Sequence, residues 1–413
     1  MTTNDKKNKQ DPILEQVIRL DDQYYAPVYG RRLPVCIASG KGVWLEDTSG
    51  HRYLDMIGGI AVNVLGHAHP RLTEAIARQA AAVIHCSNYF YNVPQAQLAA
   101  RLARLSGLAD ARVFLANSGA EANEAAIKLA RGYFYHQGQS REKIVSALHS
   151  FHGRTLATAS ATGQSKYSAP FAPLPPGFVH VPYNDLTALE AAVDTSTCAV
   201  LLEVIQGESG VMPADPAYLQ LAEKLCRQTG ARLIIDEIQT GMGRTGRFLA
   251  YEHVQIKPDI ITMAKGLAGG VPIGAMIANQ ETATGFHTGD HGTTFGGNPL
   301  ACSAALAVLD EFESADLVAN AARTGEKLQK MLRRLAEHQP LIKEVRGRGL
   351  MIGVELASPL AVAVKLDLLA AGYLVGSVGD CIIRLLPPLI LDQKELPPFC
   401  EAFERTLKEA AAK

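Results

Sequence analysis

From Pro70 onward, short apolar runs alternate with stretches of helical periodicity, and this alternation most constrains what the chain can fold into. The runs at 112–115, 143–147, 199–204, 232–235 and 260–263 read as strands. Helical periodicity appears at 120–131, 216–229 and 299–312. Strands separated by helices predict a mostly parallel sheet covered by helices. Residues 35–55 behave differently. They alternate and turn through Gly40-Lys41-Gly42 and Asp47-Thr48-Ser49-Gly50, as a β-hairpin of a small antiparallel sheet does. The first twenty residues predict a frayed tail passing into a helix near Pro12. After about 325, a helix, a strand pair within 345–355 and a strand at 381–385 form a further α/β segment. At 413 residues the chain exceeds one comfortable core, so two domains, or one large domain with a lobe, are expected. The expected division is a tail (1–20), a large domain (76–310) and a smaller one built from 21–75 and 311–413.

Composition excludes several function classes. With 47% apolar residues, 20% charged residues and a formal net charge of −1, nothing suggests nucleic acid binding. The cysteines at 36, 86, 198, 226, 302, 381 and 400 form no C-x-x-C, which predicts reduced thiols. The start, Met1 to Lys7, has no hydrophobic region, so no signal peptide is expected. The uncharged stretch from Gly266 to Gln280 is interrupted by Gly and Pro and too short to span a bilayer. A soluble, cytoplasmic protein without membrane contacts is the expectation.

Two strand ends carry the chemistry. Leu233-Ile234-Ile235 runs into Asp236, and Ile260-Ile261-Thr262-Met263 into Ala264-Lys265. A lysine amine and a carboxylate so placed suit pyridoxal 5′-phosphate: the lysine holds the cofactor aldehyde as a Schiff base, and the aspartate pairs with the protonated pyridine nitrogen. Each feature alone also fits a solvated strand end or a turn cap. The strand at 112–115 leads into Asn117-Ser118-Gly119-Ala120-Glu121 and a helix. Small residues at a helix start let free N–H groups close on a phosphate. A plain capping box between Ser118 and Glu121 is the alternative. In His149-Ser150-Phe151-His152-Gly153-Arg154, the aromatic could stack on a planar ring and the guanidinium could grip a carboxylate. A turn with Phe151 inward and Arg154 on the surface fits equally. Gly241-Met242-Gly243-Arg244-Thr245-Gly246 matches G-x-G-x-x-G but lacks an adjoining strand and helix, so a nicotinamide site is not expected. His67 and His69 have no further ligands at metal spacing.

Taken together, these segments resemble the class III (ω-amino-acid type) aminotransferases of the fold-type I pyridoxal-phosphate enzymes. The resemblance runs from about Val35 to Pro388. It rests on Gly58 to His67, Asn117 to Asn123, Phe151 to Thr155, Asp236 to Gly241, and Thr293-Thr294-Phe295-Gly296-Gly297-Asn298-Pro299. It implies a large domain with a mostly parallel seven-stranded sheet and a smaller α/β domain built from both chain ends. It also implies roles. Lys265 would be the Schiff-base lysine and proton shuttle; Asp236 and Gln239 would hold the ring. Ser118, Gly119 and Ala120 would hold the phosphate, with Phe151 stacked on the ring. Thr294 would complete the phosphate site of the neighbouring subunit, making a homodimer the active unit. Arg154 and Thr293 would bind substrate. Glu208 would be a gate carboxylate pairing with Arg384, displaced when 2-oxoglutarate binds. The implied reaction moves the terminal amino group of a small donor to 2-oxoglutarate. N2-acetylornithine is favoured by Ile60 to Asn63 and His291 to Phe295, with ornithine, 4-aminobutyrate, succinylornithine and N-succinyl-diaminopimelate open. A cofactor-binding regulator without catalysis is the alternative from another class. Two positions depart from the family pattern: Val204, where proline is usual, and Gly266, where alanine is common.

Overall fold

A computed structural model describes residues 11–30 and 32–412, so the first ten residues of the expected tail lie outside the described residues. Helix α1 (Pro12–Tyr24) opens on an Asp11 cap, whose carboxylate accepts from the Ile13 and Leu14 amides. The expected hairpin follows as β1 (Ile37–Lys41), β2 (Trp44–Asp47) and β3 (Arg52–Asp55). Helices α2 (Pro70–Ala82) and α3 (Val93–Leu105) lead to the large sheet.

That sheet contains β4 (Arg112–Ala116), β5 (Lys143–Ala147), β6 (Phe178–Val181), β7 (Thr197–Glu203), β8 (Arg232–Asp236), β9 (Ile260–Met263) and β10 (Gly274–Ala278). Its seven strands run in the order β4-β10-β9-β8-β7-β5-β6. All pairings are parallel except those of β10, which runs against both neighbours. Strands β7 and β8 are buried along their whole length, as an unbroken apolar run demands of a covered parallel sheet. Helix α4 (Gly119–Tyr135) packs on the sheet from within. Helix α5 is Pro216–Thr229, and α6 (Pro299–Ser314) packs on α2 and α3.

Helix α7 (Leu317–Ala336) starts earlier than the sequence suggested. It leads to β11 (Ile342–Arg348), β12 (Met351–Leu356), helix α8 (Ala361–Ala370), β13 (Tyr373–Leu374), β14 (Gly376–Val378), β15 (Ile382–Leu385) and helix α9 (Leu396–Ala412). Strands β11-β12-β15-β14 form one antiparallel sheet. The two chain ends meet: β13 pairs in parallel with β3, Tyr373 opposite Leu54. Helices α1, α2 and α6 run through residues 20, 75 and 310. No helix among the described residues is long and apolar enough to cross a membrane. The uncharged Gly266–Gln280 stretch instead contributes β10, the one strand that opposes the others.

Candidate functional site

The parallel strands β4, β7, β8 and β9 end on the same edge of the large sheet, where ligands of such sheets bind. At that edge lies a cavity of about 380 Å³. Ser118, Gly119, Ala120, Phe151, Arg154, Glu208, Asp236, Gln239 and Lys265 all line it. Thr293, Thr294 and Arg384 do not line it. Arg384 reaches its rim through Glu208, whereas Thr294 is exposed outside the cavity.

Asp236 ends β8, 3% exposed. Its Oδ2 accepts from Asn123 Nδ2 and lies 2.8 Å from His152 Nδ1; each of these contacts is 2.8 Å. Its Oδ1 accepts only the Ile238 amide at 3.0 Å, leaving a lone pair for a ligand. Asn123 is fixed in turn, donating also to the His152 carbonyl and accepting from Thr262 Oγ1. His152 and Asn123 fall within segments recognised in the sequence, but neither was given a role there. The Phe151-His152 adjacency was the available signal for the first, and the α4 face for the second.

Lys265 follows β9 with φ at +43°, a left-handed conformation that a side chain adopts only when its surroundings enforce it. Burial pushes its amine below the usual lysine range, and the nearby Glu208 carboxylate works against this shift. Glu203, at the end of β7, stands opposite Asp236 in the strand register. Its oxygens accept the Phe151 amide at 3.0 Å and the Gly207 amide at 3.2 Å. Burial pushes this carboxyl upward; His152 opposes the shift and Asp236 adds to it. Sequence reasoning assigned Glu203 no role.

Ser118 caps α4, accepting the Glu121 amide at 3.2 Å, while the Glu121 carboxylate accepts the Asn117 amide at 2.7 Å. Ser118 is therefore an N-cap, but Glu121 reaches the Asn117 amide and the Ser118 hydroxyl rather than the Ser118 amide, so the reciprocal capping box is not closed; the same helix start faces the cavity. A Cβ on Gly119 would stand 2.8 Å from Ile238 Cδ1, so a larger residue there would force the Ile238 side chain to shift. Arg384 Nη1 donates to Glu208 Oε1 at 2.5 Å and to the Gly207 carbonyl at 3.0 Å. Burial resists ionisation of Glu208, but Arg384 outweighs it and holds the carboxyl below its ordinary range. Arg154 differs: among the described residues it has no ion pair, and its guanidinium lies 4.0 Å from the Tyr167 ring centre and 5.5 Å from that of Phe151.

The set fits pyridoxal 5′-phosphate. A helix start lined by small residues suits a phosphate, a buried carboxylate with a free lone pair suits a protonated ring nitrogen, and a half-desolvated lysine suits an aldehyde. Gln239 Oε1 is buried without a partner, a polar atom that a bound ligand would satisfy. Metal chemistry has no comparable support: the described residues contain no cluster of three or more metal-ligating side chains, and His67 is spent on Asp55. The glycine-rich segment at 241–246 forms turns with no helix behind it, as expected of a chance match.

Comparison with known proteins gives one answer. The profile of the family described as aminotransferase class-III matches residues 24–407. Acetylornithine aminotransferase 1 of Bordetella bronchiseptica is 52% identical over 373 residues, covering 90% of this chain and 94% of that protein. The acetylornithine aminotransferase of Methanocaldococcus jannaschii is 47% identical, covering 96% and 98%. Among solved structures, ornithine aminotransferase from Toxoplasma gondii superposes with a TM-score of 0.92 at 35% identity, covering 97% of this chain and 96% of that one. Acetylornithine aminotransferase from Elizabethkingia anophelis gives 0.87 at 35% identity, covering 96% and 99%. The chain belongs to the class-III aminotransferases, enzymes that depend on pyridoxal 5′-phosphate.

Proposed function

We propose that this protein transfers the terminal amino group of N2-acetylornithine to 2-oxoglutarate, giving N-acetylglutamate 5-semialdehyde and glutamate, in the cytoplasmic synthesis of arginine. The observation that carries the reading is a pair of guanidinium groups in different states: among the described residues Arg154 has no anionic partner, and Arg384 is closed by Glu208. The names of the curated relatives support the donor.

When bound, the cofactor supplies an aldehyde that takes up an amine and a ring that withdraws electrons. Asp236 Oδ1 would hold the proton at the ring nitrogen, with His152 and Asn123 fixing the carboxylate through Oδ2. Gln239 would reach the ring's phenolic oxygen, Phe151 would pack on its face, and Ser118, Gly119 and Ala120 would hold the phosphate. Lys265 Nζ, its basicity lowered by burial, carries the proton that leaves the donor's terminal carbon. Arg154 would hold the donor's far end; Thr293, which lies outside this chain's cavity, would take part only from the neighbouring subunit. A donor without a carboxylate at the reacting end leaves Arg384 on Glu208. 2-Oxoglutarate has one there, displaces Glu208 and pairs with Arg384, so one cavity serves two unlike substrates.

The active unit is a homodimer in which Thr294 serves the neighbouring cavity. Its exposed position supports this reading, as does the exposed apolar surface of Phe90, Tyr91 and Phe295. The Asn88 amide ties that segment to the Thr293 and Gly296 carbonyls. The test is glutamate formation from N2-acetylornithine and 2-oxoglutarate, with ornithine and 4-aminobutyrate as competing donors. Donor alone should bleach the visible band of the bound cofactor; a band that none of these donors bleaches would sink the proposal.

A further inference from the structure

We propose that Tyr167 is a positioning residue that makes the enzyme select donors bearing a free carboxylate, by presenting the Arg154 guanidinium to it. The inference rests on the substrate reading above. An arginine free to sample many rotamers is a poor receptor, because binding must first order it. Among the described residues, neither an ion pair nor a side-chain hydrogen bond orders Arg154. What orders it is aromatic: its guanidinium carbon lies 4.0 Å from the Tyr167 ring centre, and Phe151 stands edge-on to Tyr167 at 5.6 Å and 83°. Stacking uses the guanidinium face, whereas a carboxylate binds its N–H edge in plane. The aromatic ring therefore fixes the arginine without competing for the substrate, which a protein carboxylate in its place would do. Lys166 Nζ lies 4.7 Å from the centre of the same ring and adds positive potential there.

Tyr167 is itself held. It ends a short turn (Ser165–Tyr167), its amide donating to the Gln164 carbonyl at 3.0 Å. The Gln164 side-chain amide donates to the carbonyls of His149 at 3.1 Å and Ser150 at 3.0 Å. The Gly163 amide donates to Ser150 Oγ at 3.0 Å, and the His149 amide to the Gly163 carbonyl at 2.8 Å. The turn that carries Tyr167 is thus clamped to the loop that carries Phe151 and Arg154.

The experiment compares the holoenzyme, Y167F and Y167L on two donors: N2-acetylornithine and N-acetyl-1,4-diaminobutane, which has the same reacting end and no carboxylate. Each half-reaction is followed in single turnover. Y167F keeps the ring face and should keep the preference of the unaltered enzyme for the carboxylated donor. Y167L should lower that preference by about 3–30-fold, the scale of a lost cation–π contact. The loss should lie in the KM for N2-acetylornithine, with kcat and the diaminobutane reaction holding and certifying the fold. Should Y167L not accumulate as folded protein, Y167Q carries the same expectation. A variant without the ring that keeps the full preference would overturn the inference and leave the substrate reading intact. An unaltered enzyme that takes both donors alike, or neither, would overturn both.

Discussion

Lys265 and Arg384 are the residues on which the proposed chemistry is most directly tested. K265A should lower amino transfer by roughly a hundred- to ten-thousand-fold, the range for removing a positioned proton carrier, measured as glutamate formed per turnover. R384A should leave the donor half-reaction running but weaken kcat/KM for 2-oxoglutarate by roughly 10–150-fold, the equivalent of a charge-assisted hydrogen bond. Gly266 explains one departure from the family pattern: a Cβ there would stand 2.6 Å from Val64 Cγ1. G266A should therefore cost about 1–3 kcal/mol in thermal unfolding, and V64A should restore part of it. Nothing in the structure explains valine at 204. Asp236 and Lys265 were legible in the sequence because each closes a buried strand. The partners of Asp236 were not: His152 and Asn123 lie 84 and 113 residues away along the chain, and only the folded sheet brings them together. Tyr167 was illegible for the same reason, since an aromatic in a turn carries no period.

Among elements, the strands buried on both faces announced themselves, because every position is apolar. Strand β10 did not. Its Gly-Ala-Met-Ile-Ala sequence lies in a stretch of glycines and a proline, and its identity comes from its register between β4 and β9. Beyond β8, the turn holds a buried carboxyl with no cationic partner among the described residues: Glu237, 1% exposed, accepts from Thr240 Oγ1 and the Tyr251 amide. Burial pushes it up to about 7. A carboxyl raised in the folded state binds its proton more tightly than the unfolded chain does. The stability it contributes is full below the ordinary pKa near 4.5 and is lost as pH rises through about 7. Glu203 acts in the same direction. Thermal unfolding at pH 5 and pH 8 should show this loss, up to about 3 kcal/mol for Glu237. E237Q should flatten that part of the slope, and an unchanged slope would contradict the assignment.

For the whole molecule, the prediction concerns assembly. Tyr91 and Phe90 project from the surface beside the segment bearing Thr294, far more exposed than large aromatics in a stable monomer. A double substitution, F90D with Y91D, should convert the proposed dimer to monomer in sedimentation and weaken cofactor retention in parallel. A variant that stays dimeric, or a monomer that holds its cofactor undiminished, would count against a shared site. The large sheet was legible at this scale from its alternating pattern, but the union of the two chain ends was implied by the family resemblance alone, since no local signal pairs Leu54 with Tyr373.

That union also sets a schedule. A ribosome makes β3 long before its partner β13 exists, and at about 5–20 residues per second the wait lasts roughly 15–60 s. During that interval the free edge of β3 is open to other strands. Nascent chains stalled before residue 373 should therefore stay open to protease at the hairpin, and those stalled well past 385 should close.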